Sequence, residues 1–128
     1  MKADEIVMHT ENSTGLDAYF APTDGPALAT EQDALDLLGE IYGKEVDVIV
    51  VPAHRFTPEF YDLSSRLAGH FFQKMQNYRV RLVILGDISD HIAASNALRD
   101  FVGETNRIGH HLFVADRAEL EGKLRRKD

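Results

Sequence analysis

The stretch QKMQNYRVRLVILGDIS, residues 73–89, decides how this chain folds. An apolar strand, Val80 to Leu85, runs straight into Gly86-Asp87, with Asn77, Tyr78 and Arg79 just before it. Upstream, VDVIVV at 46–51 is another continuous apolar run, rich in valine. Runs of this kind mark strands covered on both sides, as in parallel sheets. Two such strands separated by a helical stretch predict a right-handed crossover joining parallel neighbours.

The rest of the chain alternates in the same way. Glu5 to Thr10 is a first strand, Asn12 to Gly15 a turn, and Leu16 to Phe20 pairs back as a hairpin. Thr30 and Asp33 can cap a helix reciprocally, with Leu35, Leu38, Ile41 and Tyr42 on its inner face and Gly43 as its stop. Thr57-Pro58 opens a second helix, and Asp62 offers a cap one turn on. Leu63, Leu67, Phe71, Met75 and Tyr78 form its apolar stripe. A third helix spans Ile88 to Asn106, with Ala94, Leu98, Phe101, Val102 and Thr105 inward. HLFVAD is the last strand, and Asp116 with Glu119 begins a closing helix. The expected fold is α/β, one domain over 1–128, with a single mostly parallel sheet flanked by helices in the order β-β-α-β-α-β-α-β-α.

Composition narrows the function classes. The chain has 128 residues, enough for a core without staples, and its 44% hydrophobic content is ordinary for a globular domain. No cysteine is present, which excludes disulfides, thiolate metal sites and cysteine nucleophiles. A net charge of −7 repels phosphate backbones, so no nucleic acid is expected as a partner. The apolar runs are too short to cross a bilayer, and MKADEIVMHT lacks the apolar centre of a signal peptide. No membrane contact is expected, and the cytoplasm is the expected location. The basic stretch KLRRK at 123–127 reads as a solvated helix end.

In open α/β sheets, ligands settle outside the carboxyl ends of the strands. Those ends carry His54 and Arg55 after one strand, Gly86, Asp87 and Ser89 after the next, and Asp116 after the last. Asp87 could orient a hydroxyl, act as a base, bind a metal, or simply cap the following helix. Asp87, Asp90 and His91 lack the spacing of a firm metal site, and adjacent His110 and His111 should point to opposite faces of a strand. No metal or cofactor is expected. No G-x-S-x-G, P-loop or G-x-G-x-x-G occurs, so nothing demands catalysis. Arg99, Asn106 and Arg107, with Arg79, make a second candidate surface for an acidic patch on a partner or on a second copy.

The segments FYDLSSRLAG, QKMQNYRVRLVILGDIS and SNALRDFVGETNR, within Phe60–Arg107, resemble a bacterial family catalogued as domain of unknown function 4180. That resemblance implies a relative without an assigned activity. A more remote likeness is to the STAS domains of anti-sigma-factor antagonists, through the order of elements. Their regulatory serine lies in a segment like Phe-x-Asp-Ser-Ser-Gly-Leu-Gly, and here Phe60 to Gly69 lies at the matching place. One extra residue follows Asp62, and Arg66 replaces a glycine. The likeness implies phosphorylation of Ser65, or second of Ser64, with Arg66 able to pair with the phosphate.

The leading expectation is a non-catalytic binding or regulatory module acting through protein–protein contact, a homodimer being one form of it. The rival is a small enzyme or small-molecule binder using His54, Arg55, Asp87 and Ser89. A pocket joining His54 to Asp87 with a shifted carboxylate would favour the rival. A filled surface there, with an exposed apolar patch elsewhere, would favour the module.

Overall fold

The computed structural model of the chain describes residues 7–11 and 16–125. Five strands, β1 (Val7–Glu11), β2 (Leu16–Phe20), β3 (Val48–Pro52), β4 (Arg81–Leu85) and β5 (Leu112–Val114), form one sheet in chain order. β1 and β2 make an antiparallel hairpin, while β2 to β5 run parallel. The helices are α1 (Glu31–Glu40), α2 (Pro58–Tyr61), α3 (Leu67–Asn77), α4 (Ser89–Ala94), α5 (Asn96–Ile108) and α6 (Arg117–Arg125). The fold is α/β, a mostly parallel sheet flanked by helices. The expected turn at 12–15 and the start of the first expected strand lie outside the described residues.

Strands added in chain order, each by a crossover of the same hand, place the crossover helices on one face. Tyr19, Ile49, Val51, Leu82, Ile84 and Phe113 point to that face. They meet Leu37 and Leu38 of α1, Phe71 and Met75 of α3, and Leu98 and Val102 of α5. The alternate residues, including Val48, Val50, Val83 and Leu112, meet Leu120 and Leu124 of α6 on the other face. All five residues of β3 are buried. Truncating Ile49 or Leu82, each 0% exposed, to alanine would cost about 2–5 kcal/mol, more than losing most single hydrogen bonds.

Two helices expected as continuous are broken. After α2, Asp62 Oδ1 accepts from Ser64 N–H at 3.1 Å, and a 3₁₀ turn, Leu63–Ser65, intervenes before α3. The third helix stops at Ala94 and restarts after Ser95, whose hydroxyl accepts from Leu98 N–H at 3.0 Å. In both places a short polar side chain offers the backbone an alternative to the helix. Ala94, expected inward, is exposed as a result. The Thr30–Asp33 capping box forms as the sequence implies.

Tyr42 and Tyr78 are the larger corrections. Both were expected on buried stripes, yet they are 88% and 58% exposed. Tyr42 lies two residues beyond the end of α1 and Tyr78 one beyond the end of α3, where the stripe no longer faces the sheet. Tyr78 caps α3, and Arg79 follows at φ 61° in the left-handed region. Val80 N–H bonds to Met75 C=O and Arg79 N–H to Gln76 C=O, each at 3.0 Å. That pair of bonds is a Schellman motif, whose left-handed position usually holds glycine. An arginine there costs about 1–2 kcal/mol of backbone strain.

His110 and His111 do not part to opposite faces. Strand β5 begins only at Leu112, so strand alternation does not apply to them, and their rings touch edge to face at 4.6 Å. His111 Nδ1 accepts from Leu82 N–H of β4 at 3.0 Å, standing in for a strand carbonyl. Nε2 therefore carries the proton and faces Gln76 Oε1 at 3.2 Å. Burial, with His110 and Arg81 nearby, pulls the His111 pKa down to about 4.

An imidazolium has no acceptor for Leu82 N–H. Between pH 6.5 and about 4 the unfolded chain binds a proton at His111 that the folded chain refuses, so acid destabilises the fold. Allowing for its partial exposure, the loss amounts to about 1–2 kcal/mol. The melting temperature of the wild type should drop by several degrees more between pH 7 and 4.5 than that of His111→Asn. In that variant the amide oxygen keeps the bond without titrating. Parallel drops in the two proteins would remove His111 as the cause.

Candidate functional site

The carboxyl ends of β3 and β4 meet where Gly86 lies against Ala53. Gly86 has φ 147°, and a Cβ on it would come within 2.9 Å of the Ala53 Cβ. Glycine is required there by both backbone and space. Asp87 Oδ1 then accepts from Ser89 N–H at 2.9 Å, and these bonds to Ser89 hold the exposed carboxyl below its usual range. Gly86-Asp87 is thus the end of a strand and the cap of a turn.

The same pair also borders a cleft. About 240 Å³ of open space joins His54 to Asp87, walled by Tyr61 and His91. Tyr61 donates its hydroxyl hydrogen to Ala53 C=O at 2.7 Å, and burial pushes the phenol well above its usual range. His91 stacks on the Tyr61 ring at 4.2 Å and 14°. His54 Nε2–H donates to Thr23 C=O at 2.7 Å. On the other side of Asp87, a second space of about 260 Å³ reaches Ser89, Asn106 and Glu119.

The chemistry available here is limited. A carboxylate held low is a weak general base at neutral pH. Tyr61 and His54 each spend a donor on a backbone carbonyl. Among the described residues, no group of three His, Asp or Glu is placed to hold a metal ion. Arg55 turns away from the cleft and is only 5% exposed. Its guanidinium donates to Pro22 C=O at 3.0 Å and twice to Pro26 C=O, clamping the 22–26 loop onto the Ala53–Arg55 turn. Gly25 makes room for it, since a Cβ there would overlap the guanidinium.

The serines of the 3₁₀ turn are also engaged. Ser65 Oγ donates to Glu59 C=O at 2.8 Å and accepts from Leu67 N–H at 3.1 Å. Ser64, more exposed, donates to Asp62 Oδ1 at 2.7 Å. Arg66 is exposed in the left-handed region at φ 68°.

The residues of the second candidate surface diverge. Arg99 is exposed, and Arg107 pairs with Glu104 one turn back. Asn106 instead faces β5: its Oδ1 accepts from Phe113 N–H at 2.8 Å, and its Nδ2 donates to Phe113 C=O at 3.1 Å. The amide imitates a neighbouring strand and closes the sheet edge. Open edges invite pairing with other chains.

A further feature sits at the opposite end of the sheet. A cleft of about 440 Å³ opens between the carboxyl ends of α1 and α3. Leu35, Leu38, Ile41, Val46 and Val80 form its floor, with Tyr42 and Tyr78 beside it. Periodicity placed these tyrosines in the core. Gly43, read as the helix stop, already implied that Tyr42 lies at the frayed end of its helix, whereas Arg79, a good helix former, gives no such signal for Tyr78.

The domain of unknown function DUF4180 matches residues 13–124. The chain belongs to this family. The match covers the hairpin strand β2 and nearly all of α6, well beyond the Phe60–Arg107 block whose segments carry the resemblance. No curated protein and no solved structure matches the chain. The STAS likeness stays one of element order.

Asn106→Ala should destabilise this DUF4180 protein by about 2–3 kcal/mol in urea unfolding, because Phe113 would keep a buried N–H and C=O without partners. A loss under about 0.5 kcal/mol, typical of neutral surface changes, would mean the edge needs no closing.

Proposed function

We propose that this protein is a non-catalytic binding module acting through protein–protein contact, and that it makes the contact at the cleft between α1 and α3. The observation that carries this reading is the exposure of two tyrosines, at 88% and 58%, beside an aliphatic floor. Single exposed apolar residues are ordinary, but a contiguous patch around a concavity marks contact sites. Tyrosine and arginine are also the residue types that most often dominate binding energy. At the carboxyl ends of the strands the balance is opposite. His54, Arg55, Tyr61 and Asp87 each make bonds within the chain that hold loops or caps.

A second reading keeps one specific support. The cleft near Gly86 does join His54 to Asp87, and the Asp87 carboxyl is held low, as a small-molecule site would favour. Against it stands its size, about 240 Å³, below the range of about 300–1,000 Å³ common for ligand pockets.

A photo-crosslinking residue placed at position 42, and separately at position 91, separates the two in cells of the source organism. Position 42 should give a discrete protein adduct that position 91 does not. Tyr42→Ala with Tyr78→Ala should weaken that partner by at least about thirtyfold, the effect of one strong contact residue or more. Adducts from position 91 alone would transfer the function to the carboxyl-end cleft.

A further inference from the structure

The charge lining the cleft between α1 and α3 is opposite in sign to the net charge of the chain. The chain carries a net charge of −7, with 21 acidic residues against 14 basic ones. Yet the charged side chains lining the cleft are Lys44 and Arg79, both cations. Lys44 Nζ donates to Glu40 C=O at 2.9 Å, neutralising the end of α1. Arg79 has neither a hydrogen bond nor an ion pair from its side chain among the described residues.

Arg79 is also in the wrong conformation for its residue type. It holds the left-handed position of a Schellman motif at φ 61°. After α1 and α5 the chain uses Gly43 and Gly109 in left-handed conformations, at φ 81° and 86°. Arginine here bears strain that its own side chain does nothing within the fold to offset. Strain of that kind concentrates where a side chain serves a ligand.

Resting on the module reading above, we propose that the partner presents an acidic–apolar segment. A large apolar side chain would lie on the floor of Leu38, Ile41 and Val80, between the tyrosine rings. An adjacent Asp or Glu would take the Arg79 guanidinium, whose paired N–H groups match a carboxylate. A segment with basic neighbours would meet two cations at the rim. A neutral apolar segment would leave Arg79 unpaired.

The test pans a random dodecapeptide phage library on the full chain and measures the enriched peptides against three proteins: wild type, Arg79→Gly, and Tyr42→Ser/Tyr78→Ser. Glycine suits φ 61°, so Arg79→Gly should melt no lower than wild type, which separates lost binding from lost fold. The proposal expects enriched peptides with a Phe, Leu, Ile or Tyr within three positions of an Asp or Glu. Their affinity should fall at least tenfold on Arg79→Gly and also on the double tyrosine variant. Peptides that need the tyrosines but ignore Arg79 would overturn the acidic segment and leave the module intact. Peptides indifferent to both variants would remove the module reading as well. A wild-type dimer at about 10 μM that the double tyrosine variant abolishes would make a second copy the occupant and overturn the proposal.

Discussion

The structure depends on one pairing: β3 beside β4, parallel, from Val48 opposite Arg81 to Pro52 opposite Leu85. Five consecutive residues on each strand leave no room for a register slip, because a shift of one residue would turn every side chain to the other face. Both faces of this pair are apolar, one meeting α1, α3 and α5 and the other meeting α6. A helix on each face is what makes an all-apolar strand tolerable. Without α6, Val50 and Val83 would face water.

Side chains that carry charge or polarity then brace what the strands cannot reach. Arg55 fastens a long loop by three bonds to carbonyls. Arg81 donates to His110 C=O and Gly109 C=O, tying β4 to the entry of β5. His111 replaces a strand carbonyl for Leu82, and Asn106 replaces a whole strand for Phe113. In each case the side chain satisfies a backbone group that the three-residue β5 or an irregular loop leaves open. A short edge strand needs such substitutes. The cost of omitting one is an unpaired buried amide.

These braces explain what could and could not be read from the sequence. The valine run at 48–51 and the strand at 82–85 were legible because burial on both faces leaves an unbroken apolar signature. The Thr30–Asp33 cap was legible because its chemistry is local. Arg55 and Asn106 were read as binding candidates because polar residues at strand ends and on a helix face look alike whether they face solvent or a carbonyl. Their targets, Pro22, Pro26 and Phe113, are set by tertiary contact and leave no periodic mark. Asp62 was legible as a cap, although it opens a 3₁₀ turn and not the long helix, while the break at Ser95 was missed because an apolar stripe at helical spacing continues across it. Periodicity reports which side faces the core, not whether the backbone is continuous. Tyr42 and Tyr78 fell to the same limit at the helix ends.

The two ends of the sheet differ for a reason rooted in chain length between elements. From β3 to α3 the chain has fourteen residues, Ala53 to Arg66, in which to fold turns, caps and an aromatic cluster around Phe56 and Phe60 over the carboxyl ends. From α3 to β4 it has three, Tyr78 to Val80. So short a connection spends its residues on the Schellman bonds and has none left to cover itself. Tyr78 and Arg79 are forced outward beside the end of α1, which packs against α3. A helix dipole favours some cation near these carboxyl ends, and Lys74 and Lys44 already supply it. What the dipole does not account for is an arginine in a glycine conformation, and a larger flexible loop would have hidden both it and the tyrosines. The tight connection is therefore what keeps the apolar floor open and the cation at its rim.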